Sequence, residues 1–156
     1  MKKRFTLKSL TLIICLFGVS VLKSQNKVEF DINASALYND EATIDYSVIV
    51  YEDGTKKDSI YVKKTKGVKI TLASNKVYSI VYKKQDCPDK LVIVNTELPL
   101  NFEEETQDPF ELQIELSSKN KRINREYADY PVAVLIVNKT KRLLMASESY
   151  YKLTHL

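Results

Sequence analysis

Hydrophobic and polar side chains alternate with period two along most of this chain. In Val28-Glu-Phe-Asp-Ile-Asn-Ala-Ser-Ala36 every even position is apolar and every odd one polar, the pattern of a strand with one buried face. Phe110-Glu-Leu-Gln-Ile-Glu-Leu116 repeats it. Between them, residues 44–51, 59–63, 68–73, 77–83 and 90–96 are rich in Val, Ile and Tyr, side chains that suit a pleated, half-buried surface. Residues 130–138 are the most apolar run of the folded part, which predicts a central strand buried on both faces. Residues 143–153 fit a short helix or a final strand. Helical periodicity is absent elsewhere, so about eight strands are expected.

Turn chemistry falls between these segments. Asp53-Gly54 and Lys66-Gly67 can supply the positive φ of tight connections. Ser74-Asn75-Lys76 and Asp86-Cys87-Pro88-Asp89 mark two more turns. Short strands at this spacing predict an all-β fold, a mostly antiparallel β-sandwich of Ig-like or transthyretin-like type with a C-terminal β extension. Two connections are charged. Residues 98–109 hold Glu103, Glu104, Glu105 and Asp108, and residues 118–129 hold Lys119, Lys121, Arg122 and Arg125.

The amino-terminal stretch breaks the pattern. Lys2, Lys3, Arg4 and Lys8 precede an apolar run over residues 10–22, too short for the roughly 20 residues of a spanning helix but suited to a signal-peptide core. Cleavage is expected after Ser24. Ile14 before Cys15 is not the small residue that a lipoprotein signal places there. The whole chain has 24 basic and 20 acidic residues. The first 24 residues hold five of the basic ones and none of the acidic, so the remaining 132 residues carry 19 and 20, a net charge near −1. Cys87 becomes the single cysteine, which excludes an internal disulfide. The expected organisation is a signal peptide over 1–24, a sandwich core over 25–97, and strands and loops over 98–156 that complete or extend it. No membrane-spanning segment is expected after cleavage, and the location is periplasmic, cell-surface or secreted.

Four stretches carry a family resemblance: Ser47-Val-Ile-Val-Tyr-Glu-Asp-Gly54, Lys66-Gly67-Val-Lys-Ile-Thr-Leu72, Lys76-Val-Tyr-Ser-Ile-Val-Tyr-Lys83 and Lys90-Leu-Val-Ile-Val-Asn-Thr96. Together they resemble the carboxypeptidase regulatory-like, or transthyretin-like, β-sandwich domains of exported bacterial envelope proteins, over about residues 28–97. Asp86-Cys87 stands where that family often has Gly-Tyr. Tyr130-Pro-Val-Ala-Val-Leu-Ile-Val137 and the Tyr150-Tyr151 tail resemble extensions that come after such domains. The resemblance implies a binding, anchoring or spacing module without catalytic apparatus of its own.

The inventory of reactive side chains points the same way. The one His is His155, beside the carboxyl terminus, a poor place for a positioned acid or base. Zinc sites of the Cys/His type lack ligands. For calcium, Asp53, Asp58 and residues 103–108 offer carboxylates without the alternating loop spacing that folds them around an ion. No cofactor, metal or catalytic residue is therefore assigned. Asp86 and Asp89 flank Cys87 and disfavour a thiolate, so it reads as structural. The basic cluster from Lys119 to Arg125 lacks interleaved aromatics, which argues against nucleic acid. Asp58-Ser59-Ile60 is similar to a short bacterial O-glycosylation signal.

Tyr46, Tyr78 and Tyr82 share strands with apolar partners and are expected in the core. Tyr61, Tyr127, Tyr150 and Tyr151, with Glu103, Glu104 and Glu105, form the expected binding surface, because an exposed Tyr ring is large, stiff and amphipathic. The function expected is non-catalytic binding or scaffolding in the bacterial cell envelope through contacts with a protein partner. The surface that makes them is expected to be an exposed edge strand, or one end of the sandwich carrying both Asp53-Gly54 and Asp86–Asp89. A glycan or small-ligand binder using the tyrosines and the acidic loop is one alternative. A self-associating structural subunit is another.

Overall fold

The alternation in the sequence becomes ten strands in two facing sheets. The computed structural model describes residues 28–100, 102, 108–116 and 130–150. The strands are β1 (Glu29–Tyr38), β2 (Glu41–Ala42), β3 (Tyr46–Glu52), β4 (Thr55–Val62), β5 (Val68–Ala73), β6 (Val77–Lys84), β7 (Lys90–Asn95), β8 (Phe110–Glu115), β9 (Ala133–Val137) and β10 (Leu144–Ala146). A helical turn over residues 148–150 comes after β10, so residues 143–153 contain both of the elements expected as alternatives.

The first sheet is built on β1. Residues 29–34 pair with β5 antiparallel and residues 32–37 with β8 in parallel. Since residues 32–34 pair with both, β5 and β8 flank β1 on opposite sides. Leu37 pairs with Ala42 of β2 as well as Glu115 of β8, which puts β2 on the β5 side. The second sheet has the order β10-β9-β7-β6-β3-β4. All its pairs are antiparallel except β7 with β9. The C-terminal strands therefore join both sheets, β8 the first and β9 with β10 the second.

The even-numbered apolar side chains of β1, Phe30, Ile32, Ala34 and Ala36, are all buried. They meet Val48, Val50, Ile80, Val92 and Val94 of the facing sheet in a single core. Burying a large aliphatic or aromatic side chain fully stabilises by about 1.5–3 kcal/mol. Cys87 is the only cysteine among the described residues, so this layer rather than a disulfide between them holds the sheets together. Tyr46, Tyr78 and Tyr82 lie inside it, and the rings of Tyr46 and Tyr82 stack with centroids 6.2 Å apart. Cys87 is also buried in the core. Thr96 is the buried polar residue of the described chain, and it ties the β5–β6 turn to the end of β7. Its hydroxyl donates to the carbonyls of Ala73 (2.8 Å) and Lys76 (3.0 Å) and accepts from the Lys76 amide (3.0 Å).

One expectation needs correcting. The apolar run over residues 130–138 yields β9, but β9 is second from the sheet edge, and its outward Ile136 is 39% exposed. Its inward Leu135 and Val137 are buried. Continuous apolarity here reflects one face in the core and an apolar outer face, not central placement. Among the described residues no helix is long and apolar enough to cross a membrane.

Candidate functional site

Of the expected tyrosine surface, Tyr61 and Tyr150 fall among the described residues, and they lie far apart. Tyr61 lies on edge strand β4, 54% exposed. Its hydroxyl donates to Asp45 Oδ1 at 3.2 Å, and the Lys63 ammonium stands 5.8 Å from its ring centroid. Burial, followed by the Asp45 carboxylate, pushes its phenol up. Beside it, Asp45, Ser47, Lys83 and Lys84 help line a shallow hollow of about 500 Å³. Tyr150, just beyond β10, is half-buried, with its hydroxyl donating to the Pro131 carbonyl. β4 and β10 are the two edges of one six-stranded sheet, roughly 24 Å apart at the usual strand spacing. Tyr61 and Tyr150 therefore do not share a site. Tyr127, Tyr151, Glu103, Glu104, Glu105, His155 and the basic cluster lie outside the described residues.

The two turns expected at one end are also apart. β6 runs antiparallel to β3, with Tyr46 opposite Lys84 and Glu52 opposite Tyr78. That pairing puts Asp53-Gly54 at one end of the sheet and residues 86–89 at the other. Asp53-Gly54 neighbours the β5–β6 turn instead. Asp53 Oδ1 accepts from the Val77 amide (3.2 Å) and Oδ2 from Lys76 Nζ (3.1 Å). The Val77 bond first, then Lys76, hold its carboxyl below the usual range. Next to it the Tyr78 hydroxyl donates to Glu52 Oε2 (3.3 Å) and accepts from the Ala73 amide (3.1 Å). Burial works to raise the Glu52 pKa, but the Lys57 ammonium, 3.3 Å away, and the charge of Lys76 outweigh it and leave the carboxyl low. These interlocked groups fasten the β3–β4 hairpin to its neighbours. Among the described residues no group of three or more His, Cys, Asp or Glu is placed to hold a metal ion.

Edges differ in how they are protected. β4 opens with Thr55-Lys-Lys-Asp58 and carries a bulge opposite Val50/Tyr51, both of which discourage added strands. β5 presents Lys69 on its exposed face, and β10 has only three residues. β8 has neither lysine nor bulge, and its exposed charges are two carboxylates hydrogen-bonded within its own sheet. Its six residues pair regularly with β1, contain no Lys, Pro or bulge, and have no partner on the other side among the described residues. Leu112 and Ile114 point into the core, while Glu111, Gln113 and Glu115 point out. Asn33 Nδ2 donates to Glu111 Oε1 at 2.6 Å and the Asn39 amide to Glu115 Oε1 at 3.0 Å, so both carboxylates are held in place. Among the described residues β8 is thus an edge whose outer backbone donors and acceptors meet no strand, with an acidic border. The alternation shows β8 as a strand, but no local signal marks it as an edge.

The chain matches no family model, and neither curated proteins nor solved structures show a similar one.

Proposed function

We propose that this chain is an exported, non-catalytic binding or scaffolding module of the bacterial cell envelope, of transthyretin-like type, and that β8 is its contact strand. The observation that carries the reading is the undefended β8 edge. Adding a strand there uses main-chain hydrogen bonds and needs no special side chain, which suits a sequence poor in His, Cys and Gly. Glu111 and Glu115, with Glu103–Glu105 and Asp108 just before the strand, favour a partner segment that is extended and basic. The leader over residues 1–24 supports export. A glycan site built from several tyrosines has less support, because Tyr61 and Tyr150 stand at opposite sheet edges.

A photo-cross-linking residue placed at Gln113 in the native host tests this, with Thr71 as control. Both point outward from the same sheet, but Thr71 lies on β5, across β1 from β8. Protein adducts at position 113 and none at 71 are expected. Equal labelling at the two positions, or none at 113, would overturn the assignment.

A further inference from the structure

The two outer faces of the sandwich differ in kind. On the β1 sheet the outward charges are engaged: Lys69 bridges Asp31 at 2.7 Å, and Glu111 and Glu115 accept hydrogen bonds from Asn33 and Asn39. On the six-stranded sheet most outward positions of β6, β7, β9 and β10 are apolar, with Ser79 and Asn95 among them and Lys83 at the margin. Val81 pairs with Leu91, Ile93 with Val134, and Ile136 with Met145. From Val77 to Val81 on β6 and from Leu91 to Asn95 on β7, no outward side chain is charged, although 28% of the chain is charged. Val77 and Ile136 are 46% and 39% exposed. β7 and β9 read Leu-Val-Ile-Val and Ala-Val-Leu-Ile-Val, the continuous apolarity of strands covered on both faces.

Of the segments outside the described residues, residues 10–22 are apolar and are tested below with the shortened chain, and the others are poorly suited to be the cover. Residues 103–107 include three glutamates, and six of the thirteen residues over 117–129 are charged. Residues 151–156 offer Tyr151, Leu153 and Leu156 against a face five strands wide. An uncharged, nearly flat face is complementary to itself. At usual strand spacings it measures on the order of 500 Å² per copy, so a symmetric pair would bury roughly 1,000 Å², where specific association begins.

We propose that two copies of the chain associate through this face, sheet against sheet about a twofold axis. The inference is independent of export and of the β8 partner. At the low end of specific interface sizes, the dimer should be reversible.

Analytical ultracentrifugation over about 1–500 μM tests it, on the full chain and on the chain beginning at Gln25. Both should show twice the monomer mass at the high end and dissociate on dilution. Ile136→Asp and Val77→Asp should each weaken association at least about 100-fold with an unchanged circular dichroism spectrum, and Thr71→Lys on the other outer face should leave it unaltered. If Asp unfolds the chain, Ile136→Thr makes the same test with a smaller loss. Monomer at every concentration would overturn the proposal, as would a dimer indifferent to the Ile136 and Val77 substitutions. A full chain that stays monomeric while the shortened one dimerises would also overturn it, and would assign the face to the leader.

Discussion

Gly54 and Gly67 both hold left-handed backbone, at φ +82° and +74°, but they face different surroundings. A Cβ on Gly54 would meet nothing within 4 Å, whereas one on Gly67 would lie 2.3 Å from the Ala34 carbonyl oxygen and 3.1 Å from its carbon. Ordinary contact begins at 3.4 Å, so Gly67→Ala is 1.1 Å short of room. Ala34 cannot yield easily, because it is fully buried and paired on both sides, with Val68 and with Leu112. The left-handed conformation costs an alanine about 1 kcal/mol at either position, partly offset by a less flexible unfolded chain. Overpacking against backbone adds about 1–3 kcal/mol at Gly67 alone. Gly54→Ala should therefore lose about 1 kcal/mol or less and Gly67→Ala about 2–4. At roughly 3–5 °C per kcal/mol for a domain of this size, the melting temperatures should fall by up to about 5 °C and by about 6–20 °C. Urea titrations should show these losses as midpoint shifts at constant slope. Equal losses at the two glycines, within ~0.5 kcal/mol, would refute the claim that β1 grips the β4–β5 turn.

The core tyrosines should respond in opposite directions. The Tyr82 hydroxyl is buried and finds no hydrogen-bond partner among the described residues, so Tyr82→Phe should be neutral or stabilise by up to about 1 kcal/mol, while Tyr78→Phe, which gives up its bonds to Glu52 and Ala73, should cost about 1–2; a larger loss at Tyr82 would contradict this ordering. Stability should also depend on acid pH. The Lys69 hydrogen bond first, then Thr71, hold the Asp31 carboxyl below its ordinary 3.8, and Asp53 and Glu52 are held low as well. As the pH falls the unfolded chain takes up these protons before the folded one, so the stabilisation is complete above about pH 5 and drains away below about pH 4. Urea midpoints should be level from pH 7 to 5 and drop by pH 3, and Asp31→Asn should shrink the drop; a profile unchanged down to pH 3 would exclude the assignment.

Much of the fold is legible in the sequence because alternation reports burial directly. β1, β5, β6, β7 and β8 fall within about two residues of the apolar periodicity, and Asp53-Gly54 and Gly67 adopt the positive φ that their residue types suggest. The first half of β4 is invisible because Thr55-Lys-Lys-Asp58 buries nothing. It is a strand only because β3 supplies hydrogen-bond partners. The Asn39-Asp40 turn and the two-residue β2 are equally short of signal. β9 misleads for a related reason: apolar side chains on both faces look alike whether the second face meets the core or the outside. Strand order lies beyond local pattern altogether. Nothing near Phe110 announces pairing with Ile32, and that distant pairing leaves β8 on an edge. The exposure of Tyr61 is readable from its polar neighbours, but its separation from Tyr150 depends on six strands of order.

The parallel docking of β8 also has a consequence for synthesis. A chain emerging from its amino terminus completes β1 and β5 long before Phe110 appears. Until then β1, a ten-residue strand whose apolar alternation runs from Glu29 to Ala36, has one side uncovered. A nascent or truncated chain ending near residue 97 would present that side to any neighbour, as a far better template for aggregation than the short acidic edge that replaces it. Residues 28–97, which look like a unit in the sequence, thus leave one side of their first strand to be covered by a strand made more than ten residues later.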